Sequence, residues 1–171
     1  VLSALFFLYC QARILRDAKG IPAWSAPALV PLLLVGGLAE GFGLAALVAP
    51  LTGGVPPVLA AALLGALLLR LASWRHYRAG LAATGVPAES RRVLEDFSGN
   101  FTVAGHGVPM VLLALALLLG EPATTGLAAT AGLFAFLAGW AFKFTLVTRA
   151  GFFFRKSFSL SAAMALGGKR G

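Results

Sequence analysis

Three titratable side chains stand in stretches where an otherwise apolar sequence has least use for them. Glu40 lies in GGLAEGFG, His106 in GHGVP, and Lys143 inside FLAGWAFKFTLVTRAGFFFRK (136–156). A carboxylate, an imidazole or an ammonium deep in an apolar run costs several kcal/mol unless it is neutralised, paired or hydrated, so such residues are functional candidates by default. The chemistry they can offer is proton handling. Nothing beside them suggests more: there is no Ser/His/Asp set, no phosphate loop, no GxGxxG and no metal-ligand spacing, and Cys10 is the single cysteine. There is thus no disulfide framework and no cysteine cluster for zinc or iron–sulfur binding, and any metal must sit in a partner or be held by other ligands.

The elements that must position these residues are set by composition. Of 171 residues, 59% are hydrophobic and 12% charged, and the mean hydropathy is +0.89. A soluble domain carries roughly a quarter charged residues. Here apolar residues run in unbroken blocks, the pattern of an all-α, polytopic helical membrane protein. The net charge of +8 does not point to nucleic acid, because the cations fall in gaps between apolar blocks rather than over one face of a domain.

Four full spans are expected, at about 28–49, 55–74, 103–119 and 124–148, after a partial one at 1–12 that is too short to cross ~30 Å of hydrocarbon. The opening residues are therefore expected to be the end of a helix that starts before them. The connections alternate in kind. Segments 49–57 and 120–124 are tight, rich in Pro and Gly, and carry no cation. Segment 11–27 carries Arg13, Arg16 and Lys19, segment 70–102 carries Arg70, Arg75, Arg78, Arg91 and Arg92, and the tail 149–171 carries Arg149, Arg155, Lys156, Lys169 and Arg170. With Lys143 these are all 14 cations. The positive-inside rule makes their side cytoplasmic. Within the inner-surface loop 75–102, PAESRRVLEDF is expected to form a short amphipathic helix with Val93, Leu94 and Phe97 on one side.

On this frame Glu40 lies ~18 Å from the inner end of its helix and Lys143 ~9 Å from the inner end of the last one. Lys143 can snorkel most of that distance. Trp140, Phe142, Phe144, Trp74 and Tyr77 fit an interfacial aromatic belt. Gly37-xxx-Gly41 is a small-xxx-small pattern that admits a neighbouring helix. Glu40 reads as a proton-relay or quinone-site carboxyl, or else as a buried group bonded to another helix, with Lys143 the available partner. His106 falls in the first turn of its span, and His76 at the water interface. Two histidines near one face also raise a haem b anchor, which needs both imidazoles in one cavity.

Two stretches, LYCQARILRDAKGIPAWSAPALVPLLLVGGLAEGFGL (8–44) and AGWAFKFTLVTRAGFF (138–153), resemble the membrane-anchor subunits of molybdopterin oxidoreductases. The nearest group is the dimethyl-sulfoxide-reductase anchor family with its NrfD-like relatives, and within it the anchors of sulfite-oxidising and phenylacetyl-CoA-oxidising enzymes. The sharpest parts are the inner loop from Tyr9 to Trp24 and the run FKFTLVTRA. Past residue 153 the tail departs from the family's Asn/Gln and Pro pattern.

The resemblance implies a multi-pass subunit of the bacterial cytoplasmic membrane that passes electrons between quinone and an iron–sulfur subunit wired to a molybdopterin catalytic subunit. This chain would match the C-terminal half of an eight-helix anchor. It would bind no cofactor of its own and take quinone as substrate. Glu40 and His106 would then be the quinone or proton-relay candidates, and Lys143, Arg149, Arg13 and Arg16 the docking or orientation candidates. A proton-coupled transporter subunit using Glu40 is the alternative from another class.

Overall fold

The computed structural model describes residues 2–18, 21–81, 84–121 and 123–150. Among them every regular element is helical: α1 (Leu2–Asp17), α2 (Pro22–Ser25), α3 (Leu29–Val48), α4 (Pro57–Leu81), α5 (Ala88–Thr102), α6 (Val108–Leu119) and α7 (Ala123–Phe144). A 3-10 turn extends α3 to Thr52, a π-helical turn at Val103–Gly107 joins α5 to α6, and a second at Thr145–Ala150 extends α7. Four continuous helices, Leu29–Thr52, Pro57–Leu81, Ala88–Leu119 and Ala123–Ala150, are long and apolar enough to cross a membrane. The basic tail 151–171 and Lys19 lie outside the described residues.

The ends follow local chemistry. Proline opens α4, where its missing N–H removes a donor that has no partner anyway, whereas Pro109 lies inside the continuous helix Ala88–Leu119 and leaves Gly105 O without its backbone donor. Gly53 closes the turn after α3 with φ +112, a conformation that costs an L-residue roughly 1–2 kcal/mol.

Helices α3, α4, α6 and α7 form a ring in which α3 packs on α4 and α7, and α6 on α4 and α7, while α1 lies outside against α3. The α3–α7 seam is lined by Ala39, Gly43 and Ala46 facing Ala128, Ala131, Gly132 and Ala135, all buried. Gly43 and Gly132 meet backbone to backbone, so that a Cβ on either would collide with the other's carbonyl oxygen. Between apolar helices in lipid, contact of this kind supplies attraction that the hydrophobic effect does not. The expected Gly37-xxx-Gly41 pair plays a different part: Gly37 faces Leu8 of α1, and nothing approaches Gly41.

Two apolar clusters fill the ring. One is aromatic-rich, built from Leu29 and Leu32, Trp74 and Tyr77, Phe101, and Phe142. The other is built from alanine and leucine: Ala39 and Ala46, Leu63 and Leu67, Leu113 and Ala116, and Ala128 to Ala135. The outward surface is largely hydrocarbon, with Leu118 81% exposed, Val58 75% and Trp140 60%.

Three expectations are corrected here. Trp74 and Tyr77 are not an exposed belt: both are fully buried, Trp74 edge-on to Phe101 and Phe142, and Tyr77 donating to Ala23 O at 2.9 Å. Of the expected belt, only Trp140 and Phe144 are exposed, stacked on each other. The segment 75–102 is helical over most of its length, because α4 continues to Leu81 and α5 begins at Ala88. The helix in PAESRRVLEDF is therefore not free-standing, since it runs through the π turn into α6. Its inward face is Ser90, Leu94, Ser98 and Phe101, with Val93 and Phe97 half-buried.

Candidate functional site

The two clusters are separated by a polar layer at one level of the bundle. Glu40 stands 12 residues from Thr52, Arg70 13 from Pro57, His106 13 from Leu119, and Ala135 12 from Ala123. At 1.5 Å per residue, all lie roughly 18–20 Å from the end that carries the two short connections.

Arg70 is the centre of this layer and is 1% exposed. Each nitrogen of its guanidinium is used: Nε donates to His106 Nε2 at 3.1 Å, Nη1 to Ala135 O at 3.0 Å, and Nη2 to Gly105 O at 2.5 Å. The ring of Phe101 lies 5.3 Å from its central carbon. Three helices are thereby tied through one planar cation, a geometry that a lysine cannot reproduce.

His106 is fully buried, and its Nδ1 lies 2.8 Å from Phe101 O. A carbonyl only accepts and a guanidinium Nε only donates, so the proton sits on Nδ1 and Nε2 is the acceptor. Sequence reasoning had put His106 in the first turn of a span, but it lies 18 residues into the continuous helix Ala88–Leu119. The wide turn shapes this corner by carrying the Val108 N–H to Val103 O, five residues back. Carbonyls around such a turn are open to side chains, and here Phe101 O takes His106 while Gly105 O takes Arg70.

Glu40 and Lys143 complete the layer. Lys143 Nζ donates to Glu40 Oε2 at 2.6 Å, so the lysine turns into the bundle toward its one available carboxylate. Glu40 Oε1 is buried without a partner and lies against Gly139, where any Cβ would strike it. With His106 neutral, two cations face one anion, and the layer carries a net positive charge.

Lys143 has a second environment. It lines a cavity of about 180 Å³ between α1, α3 and α7, whose other walls are Leu8, Gln11, Ala12, Leu15, Leu33, Leu146 and Val147. Glu40 is thus buried toward the seam, while Lys143 opens toward an apolar groove.

The remaining candidates lie elsewhere. Arg149 is exposed and lines a cavity of about 540 Å³ with Asp96, Asn100, Thr145 and Thr148. Arg13 pairs with Asp17 at 3.4 Å in solvent, a contact worth little. Arg16 is half-buried on α1, and His76 is exposed. Among the described residues, no three His, Cys, Asp or Glu side chains gather as a metal site requires.

Arg70 is the member that sequence reasoning missed, having counted it with the basic loop. The signal was present: Leu63, Leu67, Arg70, Trp74, Tyr77 and Leu81 alternate spacings of four and three, one helical face continued past residue 74.

Compared with protein-family models, curated proteins and solved structures, the chain finds no match.

Proposed function

We propose that this chain is the membrane anchor and quinone-interacting electron-transfer subunit of a molybdenum/iron–sulfur oxidoreductase in a bacterial cytoplasmic membrane. The observation that carries the reading is Lys143, paired to Glu40, in the wall of an apolar groove. Quinone reduction consumes two electrons and two protons. The electrons need only a cluster in a partner within tunnelling distance, whereas the protons need titratable groups at depth. A groove of leucine and valine suits a quinone ring and its isoprenoid tail, and Lys143 and Gln11 are hydrogen-bond donors for a ring oxygen. The net positive layer behind the pair favours the charge that a quinone oxygen gains on reduction. In this reading Glu40 relays protons, Arg70 and His106 hold the layer rigid, and the cation-rich end of the bundle faces the cytosol. There Arg149, Arg13 and Arg16 are available to an acidic partner surface.

Copurification tests the reading: an assembly isolated in mild detergent is expected to contain iron–sulfur and molybdenum proteins. Glu40→Gln is expected to slow quinone-coupled turnover with assembly intact. A chain that is monodisperse alone and binds no quinone would overturn it.

A proton-coupled transporter subunit is the second reading, favoured by the unpartnered Oε1 of Glu40. Its mark is substrate uptake that Glu40→Gln abolishes. The haem-anchor alternative fares worse, because both ring nitrogens of His106 are engaged by protein groups and His76 is exposed.

A further inference from the structure

We propose that Arg75, Arg78 and Arg91 bind the phosphate of an anionic phospholipid at the cation-rich end of the bundle. This inference rests on the membrane placement above and is independent of the electron-transfer role.

The three arginines line one cavity of about 350 Å³ between the end of α4 and the start of α5, with Leu81 and Leu94 as apolar walls and Glu95 as the single acid. Among the described residues no ion pair answers their charge. All six of the chain's Asp and Glu residues lie among the described residues, and the two ion pairs found there use Asp17 and Glu40. Three cations against Glu95 leave the cavity with a net charge of about +2.

Two further observations point to a ligand. Arg91 Nε is buried and has no hydrogen-bond partner, so a strong donor is held out of water with nothing to receive it. Arg78 is fixed beforehand: Nη1 donates to Ser98 Oγ at 2.6 Å, and its guanidinium lies 5.9 Å from the Trp74 ring centre. A planar fork held in this way matches two phosphate oxygens with little further loss of freedom.

The level of the cavity selects a lipid. Arg75 and Arg78 stand 18 and 21 residues from Pro57, roughly 27 and 32 Å along the helix, where a ~30 Å hydrocarbon layer gives way to headgroups. Basic pockets between helices at this level suit anionic headgroups. The leucine walls take the glycerol and the upper acyl chain, which a free anion would leave uncovered.

The test is native mass spectrometry of the detergent-purified assembly, incubated in parallel with phosphatidylglycerol, phosphatidylcholine of the same chains, and inorganic phosphate. Wild type is expected to retain phosphatidylglycerol roughly tenfold or more above phosphatidylcholine. Arg75→Gln/Arg91→Gln is expected to bring the two lipids level, while Arg75→Lys/Arg91→Lys keeps part of the preference. Equal retention by the wild type, or an unchanged preference in the glutamine variant, overturns the proposal. So does displacement of the lipid by inorganic phosphate, which would assign the cavity to a free anion. Recovery of the chain without detergent would instead sink the membrane placement, a separate result. Size exclusion distinguishes a misfolded variant from a folded one that has lost lipid, and Arg91→Gln alone then repeats the test.

Discussion

Lys143 on α7 and Glu40 on α3, 103 positions apart in sequence, close to 2.6 Å across the seam of the bundle. The carboxylate is 15% exposed and the lysine 37%, and what the lysine faces on its open side is the apolar groove.

Breaking the pair from one side is expected to cost more than removing it. Lys143→Met leaves Glu40 charged in apolar surroundings, at a cost of about 1–3 kcal/mol. The double variant Glu40→Gln/Lys143→Met is expected to recover most of that. Thermal unfolding of the purified protein in detergent measures all four corners of the cycle. A coupling energy near zero would mean that the contact holds nothing together.

Arg70→Met is expected to be the most damaging single change in the bundle. It strips donors from His106 Nε2, Gly105 O and Ala135 O at once. At about 1–3 kcal/mol for each buried group left unsatisfied, the loss is enough to prevent recovery of a folded protein. Arg70→Lys restores one bond of the three and is expected to be intermediate in yield and melting temperature.

The seam predicts opposite outcomes for two glycines on one helix. Gly43→Val drives a side chain into the Gly132 carbonyl and is expected to separate α3 from α7, with loss of the folded protein. At Gly41 nothing lies within 4 Å, so Gly41→Ala is expected to leave the melting temperature unchanged or raise it slightly. Equal effects would show that α3 and α7 do not meet at Gly43.

Opposite ends of the bundle are expected to face opposite compartments. In a variant with Cys10 replaced by Ser, cysteines at Thr52 and Arg92, both exposed, should react with an impermeant maleimide from different sides of the membrane. Labelling from the same side would remove the basis for the cytosolic assignment.

Much of the helical order was legible because long uniform blocks of Leu, Ala and Val leave little choice of structure. The Glu40–Lys143 contact was within reach for a similar reason, since the apolar runs offered one acid and one ammonium. Arg70 is missed because, although it lies within the expected span 55–74, it is counted with the basic segment 70–102 that overlaps the span's end. The inward face in fact continues through Tyr77 and Leu81, which share one buried cluster with Trp74. His106 was misplaced because the charged residues of α5 looked like a separate surface element, whereas its Leu94–Ser98–Phe101 edge packs inward. The wide turn at Val103–Gly107 ends just before Pro109, whose missing N–H leaves Gly105 O without its backbone donor. Which side chain takes up that carbonyl, Arg70 of another helix, is a tertiary matter that residue type does not reveal.

That turn makes residue number, rather than residue kind, a determinant of the architecture. Deleting Val103 or Ala104, both exposed, would relax it to ordinary α-helix and swing everything before it by about 100° around the axis. Ser98 would leave Arg78, Leu94 would leave Leu81, and the imidazole would lose the carbonyl that fixes its tautomer. Substitutions along this outward strip of the helix should be tolerated freely, while a single-codon deletion within it should be lethal to the fold.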